Sequence, residues 1–234
     1  MKLYFAGAYG MQPDVLKEIG IKYKLYSFCN ELSLAKKWGS SNLLLDSGAF
    51  SAYTQGTTVD IDKLIDFIRT FKPENSIQLD VLGNDETTWI NYQYMSKYVK
   101  VLPVIHYKAS LEHIERVFAS SDYICLGGLV PHSTKIKVLT SWLDYIFSFK
   151  EARTKRLHCL GISNKTILMR YPFYSVDSTS ALSIFRYPSD ELREKLKQKT
   201  YTNKDLLKYA VAKQLELEAF ITKLWTSRGI TWKE

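Results

Sequence analysis

Eight short apolar runs recur along the chain, each ending in polar or glycine residues, and they limit the folds that are open to it. Each run is continuously hydrophobic rather than alternating, which is typical of parallel strands covered on both faces. The predicted strands are Leu3–Ala6, Lys24–Phe28, Leu43–Leu45, Ile77–Leu79, Leu102–Ile105, Tyr123–Leu126, Leu157–Leu160 and Phe173–Val176.

The segments between these runs have apolar residues at helical spacing. Asp60–Phe71 places Ile61, Leu64, Ile65 and Ile68 on one stripe, and Thr134–Phe149 does the same with Val138, Leu139, Trp142, Leu143 and Phe147. Eight strands that alternate with helices predict an α/β fold, a (β/α)8 TIM barrel. An open doubly wound sheet is the competing architecture, because the number of strands is easily misjudged from sequence.

No linker or internal repeat divides the chain, so we expect a single barrel domain over residues 1–234. Its last part, from about 187 to 234, is predicted to be a helical extension. Asn203 to Gly229 is predicted as one long helix, with Asn203 as N-cap and Gly229 just beyond the end. The predicted apolar face carries Leu207, Val211, Leu215 and Leu224, and the polar face carries Lys204, Lys208, Lys213 and Lys223.

Composition narrows the classes of function. The chain has 32 Lys and Arg against 24 Asp and Glu, a formal charge of +8, which favours a polyanionic partner as much as a merely basic surface. No apolar run approaches the roughly 18 residues of a membrane span, and the amino terminus is a poor signal peptide. Cys29, Cys125 and Cys159 lie far apart, which predicts a reducing, cytoplasmic setting without structural zinc.

Polar and glycine residues cluster where the predicted strands end. In a parallel barrel these ends share one rim, where barrel enzymes place their chemistry. A single strand-end Asp is more often only a helix N-cap, but three of them at separate strand ends favour a common pocket. The residues are Asp46, Ser47 and Phe50 after the third strand, Asp80 after the fourth, His106 after the fifth, Gly127 and Gly128 after the sixth, Leu160 and Gly161 at the seventh, and Asp177 at the eighth.

Three such carboxyl groups suit chemistry on a nucleoside. One can attack a sugar carbon and hold it covalently, a second can protonate the leaving base, and a third can accept N–H donors of a purine-like ring. The chain has no phosphate-binding glycine loop, no Gly-x-Ser-x-Gly elbow and no metal-binding pair of His residues. Nucleotide hydrolysis, serine-hydrolase chemistry and zinc catalysis therefore have little support.

The motifs resemble those of the tRNA-guanine transglycosylase superfamily, in the same order over about residues 1–185. They are Asp-Ser-Gly-Ala-Phe (46–50), Asp80, Leu-Gly-Gly-Leu (126–129), Leu-Gly-Ile (160–162) and Val-Asp-Ser (176–178). The compact form, with Tyr-Pro-Phe-Tyr-Ser-Val-Asp-Ser-Thr-Ser (171–180), is most similar to phage-type transglycosylases that insert 7-deazaguanines into DNA. The zinc subdomain of the tRNA enzymes has no counterpart here, and Ser51 stands where they have Gln, which favours DNA.

The resemblance implies a role for each site residue. Asp177 is the expected nucleophile on C1′, and Asp46 the general acid and then base. Asp80 is expected to read the N1/N2 edge of the base, and His106 its O6. The backbone of Gly128 and Leu129 is expected to contact the 7-substituent, with Gly127 and Gly161 beside it. Phe50 and Leu160 are expected to cover the two faces of the ring. Ser47 lies within the first motif.

The implied reaction replaces guanine in DNA by a 7-deazaguanine such as preQ0, without cofactor or metal. A duplex substrate must flip the target nucleoside out of the stack. Candidate phosphate contacts are Lys135, Lys137, Arg153, Lys155, Arg156, Lys165 and Arg170. The alternatives are tRNA as the substrate, a barrel glycoside hydrolase, and a non-catalytic DNA-binding partner subunit. No membrane partner is expected, and both a homodimer and a separate partner protein stay open.

Overall fold

Eight parallel strands form the centre of the molecule. The computed structural model describes residues 1–7, 13–187, 189–198 and 201–232. All strands but β4 overlap the predicted apolar runs, so the predicted α/β class is confirmed. The strands are β1 (Lys2–Phe5), β2 (Tyr23–Ser27), β3 (Leu43–Asp46), β4 (Asn75–Ser76), β5 (Val104–His106), β6 (Tyr123–Gly127), β7 (Arg156–Cys159) and β8 (Ser175–Ser178).

The strand order is β4-β3-β2-β1-β8-β7-β6-β5, which leaves β4 and β5 at the two ends of one curved sheet. These ends meet at an isolated parallel bridge between Ile77 and Leu102. There the Leu102 N–H donates to the Ser76 carbonyl at 2.8 Å, and the Gln78 N–H donates to the Leu102 carbonyl at 3.1 Å. The predicted strand Ile77–Leu79 is thus reduced to this bridge. All strands run in one direction, so their carboxyl ends share one edge.

Helices connect the strands and cover the outer face of the sheet. Short 3₁₀ turns occupy Val130–His132, Lys150–Arg153 and Ser180–Phe185. The helices are α1 (Pro13–Glu18), α2 (Leu32–Trp38), α3 (Ala49–Thr54), α4 (Ile61–Phe71), α5 (Asp85–Met95), α6 (Leu111–Ser120), α7 (Ile136–Ser148), α8 (Lys165–Arg170), α9 (Asp190–Lys197) and α10 (Asn203–Ser227).

The helices predicted over Asp60–Phe71 and Thr134–Phe149 form where expected. Helix α4 begins after Asp60, whose side chain accepts hydrogen bonds from the N–H groups of Asp62 and Lys63. The helix buries the predicted Leu64, Ile65 and Ile68. In α7 the buried stripe is Leu139, Trp142, Leu143 and Ile146, whereas the predicted Val138 and Phe147 are only half-buried. Ile146 belongs to this buried stripe because it lies three residues after Leu143 and four after Trp142, on the same face of the helix.

The sheet has apolar residues on both faces, and the two faces differ in what covers them. On the inner side, strand residues such as Tyr4, Leu25, Leu44, Val104 and Cys125 pack against one another. On the outer side, strand residues pack against helices; Leu45, for example, joins Leu64 and Ile65 of α4. A sheet covered in this way on both faces requires continuously apolar strands, which is the pattern seen in the sequence.

Helix α10 crosses the outer face beside β1 and α8. Its N-cap is Thr202, which forms a capping box with Asp205, so the predicted N-cap Asn203 is wrong by one residue. Gly229, with φ of 81°, follows the C-cap Arg228 as predicted. Leu215, which was predicted on the apolar face of this helix, is exposed.

The described residues contain no helix that is both long and apolar enough to cross a bilayer.

The buried stripe of α10 follows helical spacing from one end of the helix to the other. Its residues are Leu206, Leu207, Val211, Gln214, Ile221 and Trp225. Near the carboxyl end, the Trp225 indole N–H donates to the Leu168 carbonyl of α8 at 2.8 Å. This contact ties the end of the helix to the segment that follows β7.

Replacing Trp225 by Ala should therefore weaken the fold. We expect a loss of about 3 to 5 kcal/mol in the free energy of unfolding, because an aromatic side chain and a buried hydrogen bond both disappear. Urea denaturation followed by circular dichroism measures this loss. Phe220→Ala, on an exposed position of the same helix, should cost less than about 1.5 kcal/mol. Equal losses in the two variants would contradict this packing.

Candidate active site

A cavity of about 520 Å³ opens at the carboxyl ends of the strands. Its wall comes from segments that are far apart in sequence, as the common strand direction predicts. Of the predicted site residues, the structure brings together Asp46, Phe50, Asp80, His106, Gly127, Gly128, Leu129, Leu160, Gly161 and Asp177. Ser47 does not line the cavity; it is buried beneath Asp80.

Asp177, on β8, is held by one oxygen only. Its Oδ1 accepts a hydrogen bond from the Gly161 N–H at 2.8 Å and lies 3.2 Å from Nε2 of His158. Its Oδ2 receives no hydrogen bond from the residues described. The side chain lines the cavity although the residue is only 7% exposed. One oxygen thus anchors the carboxylate, and the other is left available for chemistry.

Asp46, at the end of β3, has a carboxyl group whose pKa is raised, so it binds its proton more tightly than an ordinary aspartate. Burial raises the pKa of this carboxyl to about 7, and the negative charges of Asp80 and Asp177 act in the same direction. The Gly48 N–H, 3.0 Å from Oδ2, opposes the shift. A carboxyl group with a pKa near 7 exchanges protons readily at neutral pH, which is what general acid and base catalysis requires.

Asp80 is fixed by two side chains. His106 Nε2 lies 2.8 Å from Asp80 Oδ2, and the Ser47 hydroxyl donates to Oδ1 at 3.4 Å. His106 is itself buried, and its Nδ1 has no hydrogen-bond partner among the described residues. The histidine therefore orients Asp80 in this structure, and its direct contact with a base stays a prediction.

Glycine residues let the cavity wall approach closely. Gly161 has φ of 69°, and a Cβ atom there would collide with Val130. At Gly127 a Cβ would come within 2.9 Å of Val104 Cγ1 and 3.1 Å of His106 Cδ2. Only glycine fits at both positions without displacing a neighbour. The Gly161 turn also directs its N–H towards Asp177.

Apolar groups form the rest of the cavity wall. Phe50, the second residue of α3, is 52% exposed at the mouth, and half-buried Leu160 lies on the wall. Sequence reasoning missed Tyr53, which is 71% exposed one turn after Phe50, and Tyr107, which follows His106. The spacing of Phe50 and Tyr53 on one helix was the signal that identifies Tyr53.

His158 was also missed, and it lies behind Asp177. Its Nδ1 is 2.7 Å from the Ser175 hydroxyl, which is 2.6 Å from the Tyr123 hydroxyl. His158 and Ser175 are fully buried. The signal was the alternation of β7, since His158 and Leu160 are two residues apart and share a strand face with Ser175 and Asp177 of the neighbouring strand.

This Ser–His–Asp arrangement does not suit serine-hydrolase chemistry. In a catalytic triad the serine must reach the substrate, whereas Ser175 has no exposed surface. The described residues contain no group of three His, Cys, Asp or Glu side chains that could hold a metal ion. The acidic side chains that line this cavity are Asp46, Asp80 and Asp177.

The proposed phosphate contacts divide between the two edges of the sheet. Lys135 precedes α7 and Lys165 begins α8, so both follow strands on the cavity side. Arg153 and Lys155 precede β7, and Arg156 is its first residue. All three line a separate cleft at the opposite edge, away from the cavity. Arg170 forms an ion pair with Asp144 on the outside, 2.6 Å apart.

The chain matches no protein-family model, and no curated protein is similar to it at a significant level. The inference of function therefore depends on the residues of the cavity and their geometry.

The raised pKa of Asp46 has a consequence for stability. A carboxyl group that binds its proton more tightly in the folded state makes that state less stable as the pH rises from about 4 to about 7. Asp46→Asn removes this penalty and keeps an acceptor for the Gly48 N–H. At pH 8 we expect the variant to be more stable than the wild type by about 2 to 4 kcal/mol, and at pH 4 the difference should vanish.

Urea denaturation at both pH values checks this expectation. Asp144→Asn is the control with the opposite sign, because Arg170 and Tyr171 lower the pKa of that carboxyl and its loss should destabilise at neutral pH. A destabilised Asp46→Asn protein at pH 8 would show that the carboxyl group is charged and stabilising instead.

Proposed function

We propose that this protein is a base-exchange glycosyltransferase, a pentosyltransferase that replaces guanine in DNA with a 7-deazaguanine. The observation that carries the proposal is the pairing of two carboxyl groups in one cavity. Asp46 has a pKa near 7 and retains its proton readily, while Asp177 is held through Oδ1 and its Oδ2 has no hydrogen-bond partner among the described residues. A proton donor and a nucleophile are the two groups that exchange of a glycosidic base requires.

In the first half of the reaction, Asp177 Oδ2 attacks C1′ of the deoxyribose. The bond from C1′ to N9 of guanine breaks, and its electron pair leaves with the base. Asp46 supplies the proton that neutralises the departing guanine and becomes a carboxylate. The product is an ester between Asp177 and C1′, in which the sugar stays attached to the DNA strand.

In the second half, the incoming deazaguanine occupies the site that guanine has left. The Asp46 carboxylate accepts the proton from N9 of this base, and N9 attacks C1′. The ester bond breaks, and its electron pair returns to Asp177 Oδ2. Both carboxyl groups are then in their starting states, so the exchange consumes neither a nucleotide cofactor nor a metal.

Recognition of the base is assigned to the rest of the cavity. Asp80, fixed by His106 and Ser47, accepts N–H donors from the N1/N2 edge of the purine. Backbone groups of Gly128 and Leu129 are adjacent to the 7-substituent, and Phe50 and Leu160 cover the two faces of the ring. The side chain of Leu129 is buried in the core, so Leu129 lines the cavity through its backbone, which supports a backbone contact with the 7-substituent.

We also infer that the sheet closes into a (β/α)8 barrel. The order β4-β3-β2-β1-β8-β7-β6-β5 is the cyclic order of an eight-stranded barrel opened between β4 and β5, and the Ile77–Leu102 bridge joins those two edges. The cavity then occupies the rim at which barrel enzymes carry their sites.

Base exchange is favoured over sugar hydrolysis by the lining of the cavity. Sugar-binding clefts usually present Trp rings to the sugar. No Trp is among the described residues that line this cavity, and Trp38, Trp142 and Trp225 are buried elsewhere. DNA is favoured over tRNA by the compact motif of residues 171–180, whereas the net charge of +8 suits either polyanion.

Incubation of the protein with duplex DNA and labelled preQ0, followed by digestion to nucleosides and mass spectrometry, tests the activity. Asp177→Ala should lower exchange by about 10³-fold or more while DNA binding persists. Asp144→Asn, on the outer surface, should exchange normally. Normal exchange by Asp177→Ala would refute the assignment. The same assay is run with tRNA, and exchange in tRNA but not in DNA would show that RNA is the substrate.

The pH dependence of the first half-reaction follows from the pKa of Asp46. Guanine release requires the protonated acid, so its rate should fall about tenfold per pH unit well above pH 7. Single-turnover release of labelled guanine from DNA measures the rate. Asp46→Asn should abolish this pH dependence and slow release at every pH. A wild-type rate that rises above pH 7 would exclude Asp46 as the acid.

A further inference from the structure

A continuous line of hydrogen-bonding side chains runs from Asp177 through the inside of the sheet. We call Tyr123, Ser175 and His158 the polar chain. The Tyr123 and Ser175 hydroxyls are 2.6 Å apart, Ser175 Oγ is 2.7 Å from His158 Nδ1, and His158 Nε2 is 3.2 Å from Asp177 Oδ1. All three members are buried, with exposures of 4%, 0% and 0%. Groups placed this deep must hydrogen-bond to one another rather than to water.

The chemistry of its ends gives the polar chain a direction. An ionised carboxylate only accepts hydrogen bonds, so His158 Nε2 must carry a proton to bond Asp177 Oδ1. In the tautomer that carries its single ring proton on Nε2, Nδ1 is bare and accepts from the Ser175 hydroxyl. Ser175 Oγ accepts in turn from the Tyr123 hydroxyl. Every donor in the series is thus directed towards Asp177.

We propose that His158 is a positioning residue for Asp177, and that Ser175 and Tyr123 hold it in the Nε2–H tautomer this task requires. Together with the Gly161 N–H, His158 fixes Oδ1 in place, so that Oδ2 alone points to substrate. The inference rests on the proposed function, because it assigns Oδ2 as the atom that attacks C1′.

The burial of His158 separates this role from a direct one. A fully buried imidazole does not touch substrate, so its loss should leave binding of DNA and base unchanged. The reaction itself should slow, because a carboxylate free to rotate spends less time aligned with C1′, and small misplacements of a nucleophile are costly.

The tautomer of His158 can be read directly. Nitrogen-15 NMR of the free protein with labelled histidines, at pH 7.5, distinguishes a protonated Nε2 from a protonated Nδ1. His158→Gln identifies the signals. We expect a proton on Nε2 and none on Nδ1. A proton on Nδ1 would overturn the proposal, because the direction of the polar chain would then be different.

Kinetics of base exchange supply the second test. His158→Leu should lower kcat by about 10- to 100-fold, the loss expected for one hydrogen bond to a charged group, with KM for DNA and for base within about twofold. His158→Gln can keep an N–H donor near Asp177 and should recover most of kcat. Equal kcat values for the wild type and His158→Leu would refute the positioning role.

A matched control is His113→Leu. His113 is also fully buried, but its Nε2 lies 3.0 Å from the Val104 carbonyl on the outer side of the sheet, away from the cavity. This variant should lose stability without losing kcat. Similar losses of kcat in His113→Leu and His158→Leu would show that general destabilisation explains the slower reaction, and they would overturn the proposal.

The two levels of inference fail differently. If Asp177→Ala exchanges normally, the proposed function fails whatever His158 does. If Asp177 is required but His158→Leu keeps the wild-type kcat, only the positioning role fails. The tautomer measurement needs no activity at all, so it tests the polar chain independently of the substrate.

Discussion

Three carboxyl groups that share one cavity cannot all be charged without a large electrostatic cost, and the structure meets this constraint in three ways. Asp80 is hydrogen-bonded by His106 and Ser47, and Asp177 by the Gly161 N–H and His158. Among the described residues, the Asp46 carboxyl group accepts a hydrogen bond from the Gly48 N–H alone, and it instead retains its proton to about pH 7. In the proposed reaction, these different environments assign similar side chains the roles of acid, nucleophile and binding group, as in other active sites that hold several carboxyl groups.

Much of this arrangement was predictable because it depends on local patterns and on one geometric rule. Continuously apolar runs identify parallel strands, and a common direction brings their carboxyl ends together. Asp46, His106 and Asp177 could be placed at one edge from those facts alone. The least accurate strand was β4, where pairing is reduced to Asn75, Ser76 and a bridge at Ile77. Such a short strand has too little pattern to locate from sequence.

Other features depend on long-range packing, which the sequence does not reveal. His158 looks like an ordinary core residue until Ser175 of the neighbouring strand is placed beside it. Helix α10 buries Trp225 rather than Leu215 because its contacts with α8 set its rotation. Arg153 precedes β7 and Arg156 is its first residue, whereas Lys165 follows that strand, so the two arginines lie at the edge opposite the cavity.

The polar chain also has a consequence for protein engineering. Tyrosine, serine and histidine occupy interior positions that aliphatic side chains would fill in a core optimised only for packing. Exchanging a whole hydrogen-bonded set for apolar groups of similar shape is often neutral or even stabilising. Under the proposed function, we therefore expect a thermostability screen at Tyr123, Ser175 and His158 to select sequences that fold better and catalyse worse, a trade-off between stability and turnover.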